Sequence, residues 1–332
     1  LRIPVETPPL LADLLLGTTM FAWLRRSGRS LAIAWAGMLL IALNPALLFD
    51  SVVWGQTDSL VTSMMWLAAL LALDSEYEVA AALLAIAVLQ KPHALIMLPA
   101  LVSRLLRKDG ISRLLAPAGA FAITVAIAVA PFAAGRPWDW LPRFYAGALA
   151  TFPQTSVNAF NLMAIIGGIR QPETATIFGV SYYALGLALV LAVNALSCML
   201  VWRNPSPQAL MFAIFLALFG EFLFATRMHE RYLYPALVFM APIALEGTFW
   251  LVIFLLLSAS LLANLVYVLH ILRTVNWLDT YDAAAMLASA LNLVLFGAVL
   301  SRITTLRPEA RPAKARSPIP EPEPAKADSS AA

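Results

Sequence analysis

The sequence predicts an all-α fold: a polytopic bundle of transmembrane helices crossing the bilayer roughly nine times, with one short hairpin besides. Three observations predict it. The 332 residues are 61% hydrophobic and only 12% charged, with mean hydropathy +0.81. Water-soluble domains carry about 25% charged residues, so a soluble fold is excluded. Apolar runs long enough to span recur along the whole chain. Lys and Arg fall in the short loops between those runs, as membrane orientation requires. The net charge of +3 therefore points to a lipid bilayer and not to nucleic acid. Cys198 is the single cysteine, so no disulfide forms within the chain, and its place in an apolar run suits packing.

The runs cover 9–24, 31–49, 58–73, 114–134, 177–201, 208–226, 232–247, 248–271 and 283–301. Several are short, and these helices must tilt or thin the bilayer locally. The chain starts at Leu1 without a basic leader, and Glu6-Thr7-Pro8-Pro9 reads as a loop feeding a helix. Natural sequence upstream of Leu1 is expected, and a signal peptide is not. Residues 1–306 are expected to form one membrane domain. Residues 307–332, rich in Pro, Ala, Lys and Glu, read as a disordered cytoplasmic tail.

A further apolar stretch, 79–103, is split by Gln90-Lys91-Pro92-His93. Pro92 removes a backbone donor, and a lysine at mid-bilayer costs about 2.5–3.5 kcal/mol. A kinked single span and a hairpin with Lys91 and His93 at its tip compete. Charge decides: Arg104, Arg107, Lys108 and Arg113 follow the stretch, and only the hairpin keeps them cytoplasmic. Segments 50–58, 90–93, 135–176, 226–232 and 272–282 then face outward. The loop 135–176 holds Trp138, Trp140, Phe144, Tyr145, Phe152 and Phe160, a density that suits a helix in the headgroup layer.

Three motifs carry candidate chemistry. The first is Asn44-Pro45 followed by Ser51-Val52-Val53-Trp54-Gly55-Gln56-Thr57-Asp58-Ser59. It is either an interfacial turn with Trp54 as belt anchor, or a cavity edge. At such an edge Gln56 holds hydroxyls and Asp58 acts as base or binds a cation. The second is Lys91 with His93, either snorkelling to the interface or holding a lipid phosphate. The third is Glu221 and then Thr226-Arg227-Met228-His229-Glu230-Arg231-Tyr232. It forms either interhelical ion pairs or a guanidinium clamp on phosphate. No second histidine follows at zinc spacing, and no metal site is expected. Asp50 and Asp58 are placed to share a divalent cation, though they read more simply as separate interface residues. Asn158, Asn161, Asp279, Tyr281 and Asp282 are weaker signals. Asn264 and His270 lie in an apolar run and read as packing or interhelical hydrogen-bonding residues.

Taken together, NPALLFDSVVWGQTDS, QKPHALIMLPAL, NAFNL and ATRMHERYLYPAL resemble the bacterial relatives of the glycosylphosphatidylinositol mannosyltransferase that adds the second mannose. These are members of the GT-C superfamily. The resemblance spans about residues 3–300. It implies a GT-C bundle in a bacterial plasma membrane, with the active face extracytoplasmic and the C-terminus cytoplasmic. It also implies inverting transfer of a hexose, mannose foremost, from a polyprenyl-phosphate-sugar donor to an unspecified glycan, lipid or protein acceptor. No cofactor is required by it. In such enzymes the principal base sits in the first outer loop, which is expected here upstream of Leu1. Asp58 is the carboxylate that remains for a catalytic or positioning role. Asn44, Trp54, Gln56, Lys91, His93, Asn158, Asn161, Arg227, His229, Glu230, Arg231 and Tyr232 are the implied substrate-binding set. The rival reading is a transporter or lipid flippase, but that needs polar residues facing both sides.

Overall fold

The computed structural model describes residues 3–169, 171–274 and 283–303. The tail 307–332 and Asp279, Tyr281 and Asp282 lie outside the described residues. The described residues are helical almost throughout. In order come α1 (Ile3–Arg26), α2 (Leu31–Ala42), α3 (Pro45–Leu48), α4 (Asp58–Leu73), α5 (Tyr77–Gln90), α6 (Leu98–Lys108) and α7 (Leu115–Ala133). Then follow α8 (Trp140–Leu149), α9 (Leu162–Gly167), α10 (Tyr182–Arg203), α11 (Pro207–Phe224), α12 (Tyr234–Ala244), α13 (Thr248–Thr274) and α14 (Ala283–Ser301). A two-residue ribbon pairs β1 (Thr176–Ile177) antiparallel with β2 (Val180–Ser181).

Among the described residues, six segments are long and apolar enough to cross a membrane: 31–54, 111–133, 182–203, 207–224, 248–274 and 283–301. Others are shorter, notably α4, α5 and α12. The protein is an all-α, polytopic membrane protein. Helices α11 and α12 form its centre. Every residue of α12 is buried, and α11 is buried over 78% of its apolar length. Helices apolar all round belong in such a position. At the other extreme, 6% of the α7 stretch is buried, so this helix presents its side chains to lipid.

Start signals are local. Ser30, Ser181 and Ser206 each accept a hydrogen bond from the backbone amide three residues on, capping α2, α10 and α11. Two departures from the sequence pattern have clear causes. The expected run 31–49 breaks at Leu43, because Asn44 caps a new helix and Pro45 has no amide to continue the old one. Helix α1 starts before Pro8 and Pro9, where a loop is expected. There the Pro9 carbonyl accepts a hydrogen bond from Ser59 Oγ at 2.9 Å.

Polar ties fix which helix ends lie together. Ser59, Ser63 and Trp66 bond Pro9, Ala12 and Thr19 in turn, so α1 and α4 run side by side in parallel. At the far end Arg26 pairs with Asp74 at 3.0 Å, and Arg29 pairs with Glu246. The chain reverses between α5 and α6: the Tyr77 hydroxyl, at the start of one, donates to Asp109, just past the other. Buried Arg104 closes that end, donating to the Ala72 carbonyl at 2.6 Å and the Leu73 carbonyl at 3.3 Å. The opposite end collects the 43–58 turn, the 91–97 bend, the loop 134–181 and the turn between α11 and α12.

Candidate active site

Asp58 opens α4, where helix N-terminal amides favour a negative charge. It reaches this place through one turn of π-helix, Phe49–Trp54, closed by Gly55 in a left-handed conformation (φ 73°). Extra-wide turns of this kind concentrate at functional sites because they re-aim side chains. The Asp58 side chain is fully buried.

Two cations meet it from other elements. Pro92 ends α5, leaving Lys91 extended, and its Nζ donates to Asp58 Oδ1 at 2.7 Å. Arg231, from the turn between α11 and α12, brings Nε within 3.6 Å of Asp58 Oδ2. Its Nη1 donates to Glu230 at 2.7 Å. Tyr232 packs among them, with His93 at 5.1 Å, His229 at 5.2 Å, Arg231 Cζ at 5.5 Å and Lys91 Nζ at 5.8 Å from its ring. Phe152 closes edge-on over His229 at 5.3 Å.

Electrostatics follow from this enclosure. Burial, aided by the Arg231 and Lys91 charges, pushes the His229 imidazole down to about 4, so it is neutral at pH 7. Burial disfavours charge on Arg231, but Glu230 and Asp58 outweigh it and hold the guanidinium ionised. Several buried polar atoms here take no hydrogen bond from the protein: Asp58 Oδ2, Arg231 Nε, His93 Nε2 and both oxygens of Asp50. Asp58 Oδ2 and Arg231 Nε face one another at ion-pair distance, and Asp50 and His93 keep polar atoms that a ligand could meet.

The structure brings Asp58, Lys91, His93, His229, Glu230, Arg231 and Tyr232 into one cluster. Trp54 and Gln56 border it on the turn before α4, both half-buried. Arg227 faces elsewhere. Its guanidinium bonds Glu173 (Nε to Oε2 at 2.8 Å), and Thr226 donates to the same carboxylate at 2.8 Å. Burial raises Glu173, yet the Arg227 and Thr226 hydrogen bonds outweigh it and hold the carboxyl below its ordinary range. Arg227 accepts a left-handed backbone (φ 65°), and its amide donates to the Gln154 carbonyl at 2.9 Å. It latches the long loop onto the bundle.

Three asparagines also have structural partners. Asn44 caps α3 and accepts from Ser258 Oγ at 2.8 Å. Asn161 caps α9 and donates to the Phe222 carbonyl at 3.1 Å. Asn158 offers its carbonyl to Asn264 at 2.8 Å. Asn264 also accepts the Phe160 amide at 3.0 Å, in keeping with a hydrogen-bonding residue between segments.

Glu173 and Asp13 are partners the sequence reading passed over. Glu173 carries no signal, being one acid in a long loop. Asp13 does carry one, a carboxylate inside an apolar run. It is buried and receives the Tyr234 hydroxyl. Among the described residues no group of three or more His, Cys, Asp or Glu is arranged to hold a metal ion. Lys91 and Arg231 occupy the cationic positions around Asp58.

A family model described as glycosyltransferase family 87 matches residues 10–226, well over half the chain. No curated protein matches the sequence. The matched region contains Asp58, Lys91 and His93, and it ends just before the His229–Tyr232 turn. Family 87 is of GT-C type, so the expected superfamily holds, and the enzymatic reading prevails over the transporter. The chain belongs to glycosyltransferase family 87, a family of GT-C-type membrane glycosyltransferases.

Proposed function

We propose that the protein transfers a hexose, mannose foremost, from a polyprenyl-phosphate-sugar to an acceptor outside the cytoplasm, inverting the anomeric centre. The observation that carries this reading is the buried Asp58 held between Lys91 and Arg231 at one end of the bundle. That end also holds the aromatic loop, while Arg25, Arg26, Arg29, Arg104, Arg107, Lys108 and Arg113 crowd the other. By the positive-inside rule this distribution of charge supports an outward-facing cluster.

The chemistry follows from an exchange of partners. With no donor bound, Asp58 is paired to both cations. A donor phosphate draws Lys91 and Arg231 onto itself, because charge-assisted bonds to phosphate satisfy their donors equally well. Asp58 is then released from both cations in its buried setting. The acceptor hydroxyl attacks the anomeric carbon opposite the phosphate. The new C–O bond forms as the bond to the phosphate oxygen breaks, and Asp58 takes the hydroxyl proton. Lipid phosphate departs with its added negative charge held by the two cations. Neutral His229, His93 and Tyr232 present ring edges and polar tips to the sugar.

The test is transfer by the reconstituted protein from radiolabelled polyprenyl-phosphate mannose, alongside the glucose analogue and a nucleotide-sugar control. Lys91→Ala and Arg231→Ala should each lower kcat/KM by about 10²–10³-fold. Equal use of the nucleotide sugar, or full activity in both variants, would overturn the donor assignment.

A further inference from the structure

Amphipathic α8 stands off the bundle. It approaches the other helices sparsely and is tied to α5 by the Tyr145 hydroxyl, which donates to the Leu89 carbonyl at 2.7 Å. Between α8, α5 and α7 runs a groove of about 420 Å³. Its walls are Ile86 and Leu89 of α5, Val129 and Phe132 of α7, and Leu141 and Phe144 of α8. Phe132 and Phe144 are 64% and 59% exposed, and α7 is the least buried of the six candidate spanning segments, so the groove opens sideways into the bilayer.

One feature separates this groove from its neighbours. Two other apolar grooves, near Leu39 and Leu251 and between Leu84, Leu101 and Phe121, have no charged residue in their walls. Here Arg136 stands at the rim, where α7 ends and interfacial residues begin. Its guanidinium lies 4.9 Å from the Trp140 ring, which fixes its direction. The nearby acid, Asp139, is engaged by Arg143 at 2.6 Å. A cation at headgroup depth above a hydrocarbon-wide slot matches a phosphate with an acyl chain below it.

We propose that this groove is a specific site for an anionic phospholipid of the surrounding leaflet. Its phosphate meets Arg136, and one acyl chain fills the space between α8 and the α5–α7 pair. A sugar-donor lipid shares this chemistry, but none of Asp58, Lys91, His93, Arg231 or Tyr232 lines the groove, and the Lys91 ammonium turns inward to Asp58. The bound lipid braces the end of α5, where Gln90 lines the groove next to Lys91. It thereby supports the bend from outside the reacting cluster.

The test uses the whole protein in nanodiscs of phosphatidylcholine with a minority of phosphatidylglycerol, released into native mass spectrometry. Wild type should retain one phosphatidylglycerol in excess of its bulk share. Arg136→Glu, at an exposed position, should lower that retention about tenfold, the effect of one charge-assisted contact. Val129→Trp, which fills the slot, should lower retention of both lipids. Retention in proportion to bulk composition would overturn the site. So would unchanged retention in both variants. Displacement of phosphatidylglycerol by added polyprenyl phosphate at matched concentration would assign the groove to the donor and overturn the proposal as well.

Discussion

At the residue scale, the cluster is built from charges that each depend on a neighbour. Asp58 with Lys91 and Arg231 with Glu230 are close pairs in a buried setting, where removing one partner leaves an uncompensated charge. His229 is kept neutral by the same surroundings. Its folded value, about 4, lies below its ordinary 6.5. Between those values the unfolded chain takes up a proton that the folded one refuses. The stability linked to this group is therefore complete above pH 6.5 and is lost as pH falls towards 4. The difference is worth at most about 3 kcal/mol. His229→Gln, which cannot titrate, should flatten the fall in melting temperature of the detergent-solubilised protein between pH 6.5 and 4.5. An identical slope in the variant would show that another group governs it.

Helix ends and turns carry the next level of organisation. Much here was legible in the chain. Pro92 among apolar residues announces a break, and the basic residues after it demand a reversal, which Tyr77 and Asp109 realise. The dense His229–Tyr232 turn and Asp58 were readable because charge beside apolar runs is expensive. The asparagines were not separable by such reasoning. A capping Asn and a sugar-holding Asn look alike in sequence, and the partners the fold supplies, Ser258 and Asn264, lie 214 and 106 residues away from Asn44 and Asn158. Arg227 lies four residues from Arg231 in the chain. Its left-handed backbone and Glu173, 54 residues upstream, direct it to the loop instead. Asn264→Ala tests this reading of the loop. It leaves the buried Phe160 amide and the Asn158 carbonyl without partners, at a cost of about 2–4 kcal/mol. The melting temperature should fall, and limited proteolysis should open the 150–161 segment first. A variant as stable and resistant as wild type would remove Asn264 from that role.

At the scale of the whole molecule, the bundle gives its chemistry a side. α11 and α12 form an apolar centre, and the turn joining them delivers Arg231 to the end where α4 begins and α5 breaks. Four separate segments, the π-turn, the 91–97 bend, the loop around Phe152 and the α11–α12 turn, must converge for the cluster to exist. Sequence order alone supplies none of those distances, which is why the residues were foreseeable and their pairing was not. The central claim is that Asp58 and the donor phosphate compete for Lys91 and Arg231. Donor affinity and transfer rate measured together on Asp58→Asn test it most directly. Removing the charge while keeping the shape frees both cations but abolishes the base. Polyprenyl-phosphate mannose should bind as tightly as to wild type or several-fold tighter, while turnover falls by about 10²–10⁴-fold. Donor binding lost in step with turnover, or turnover left intact, would contradict it.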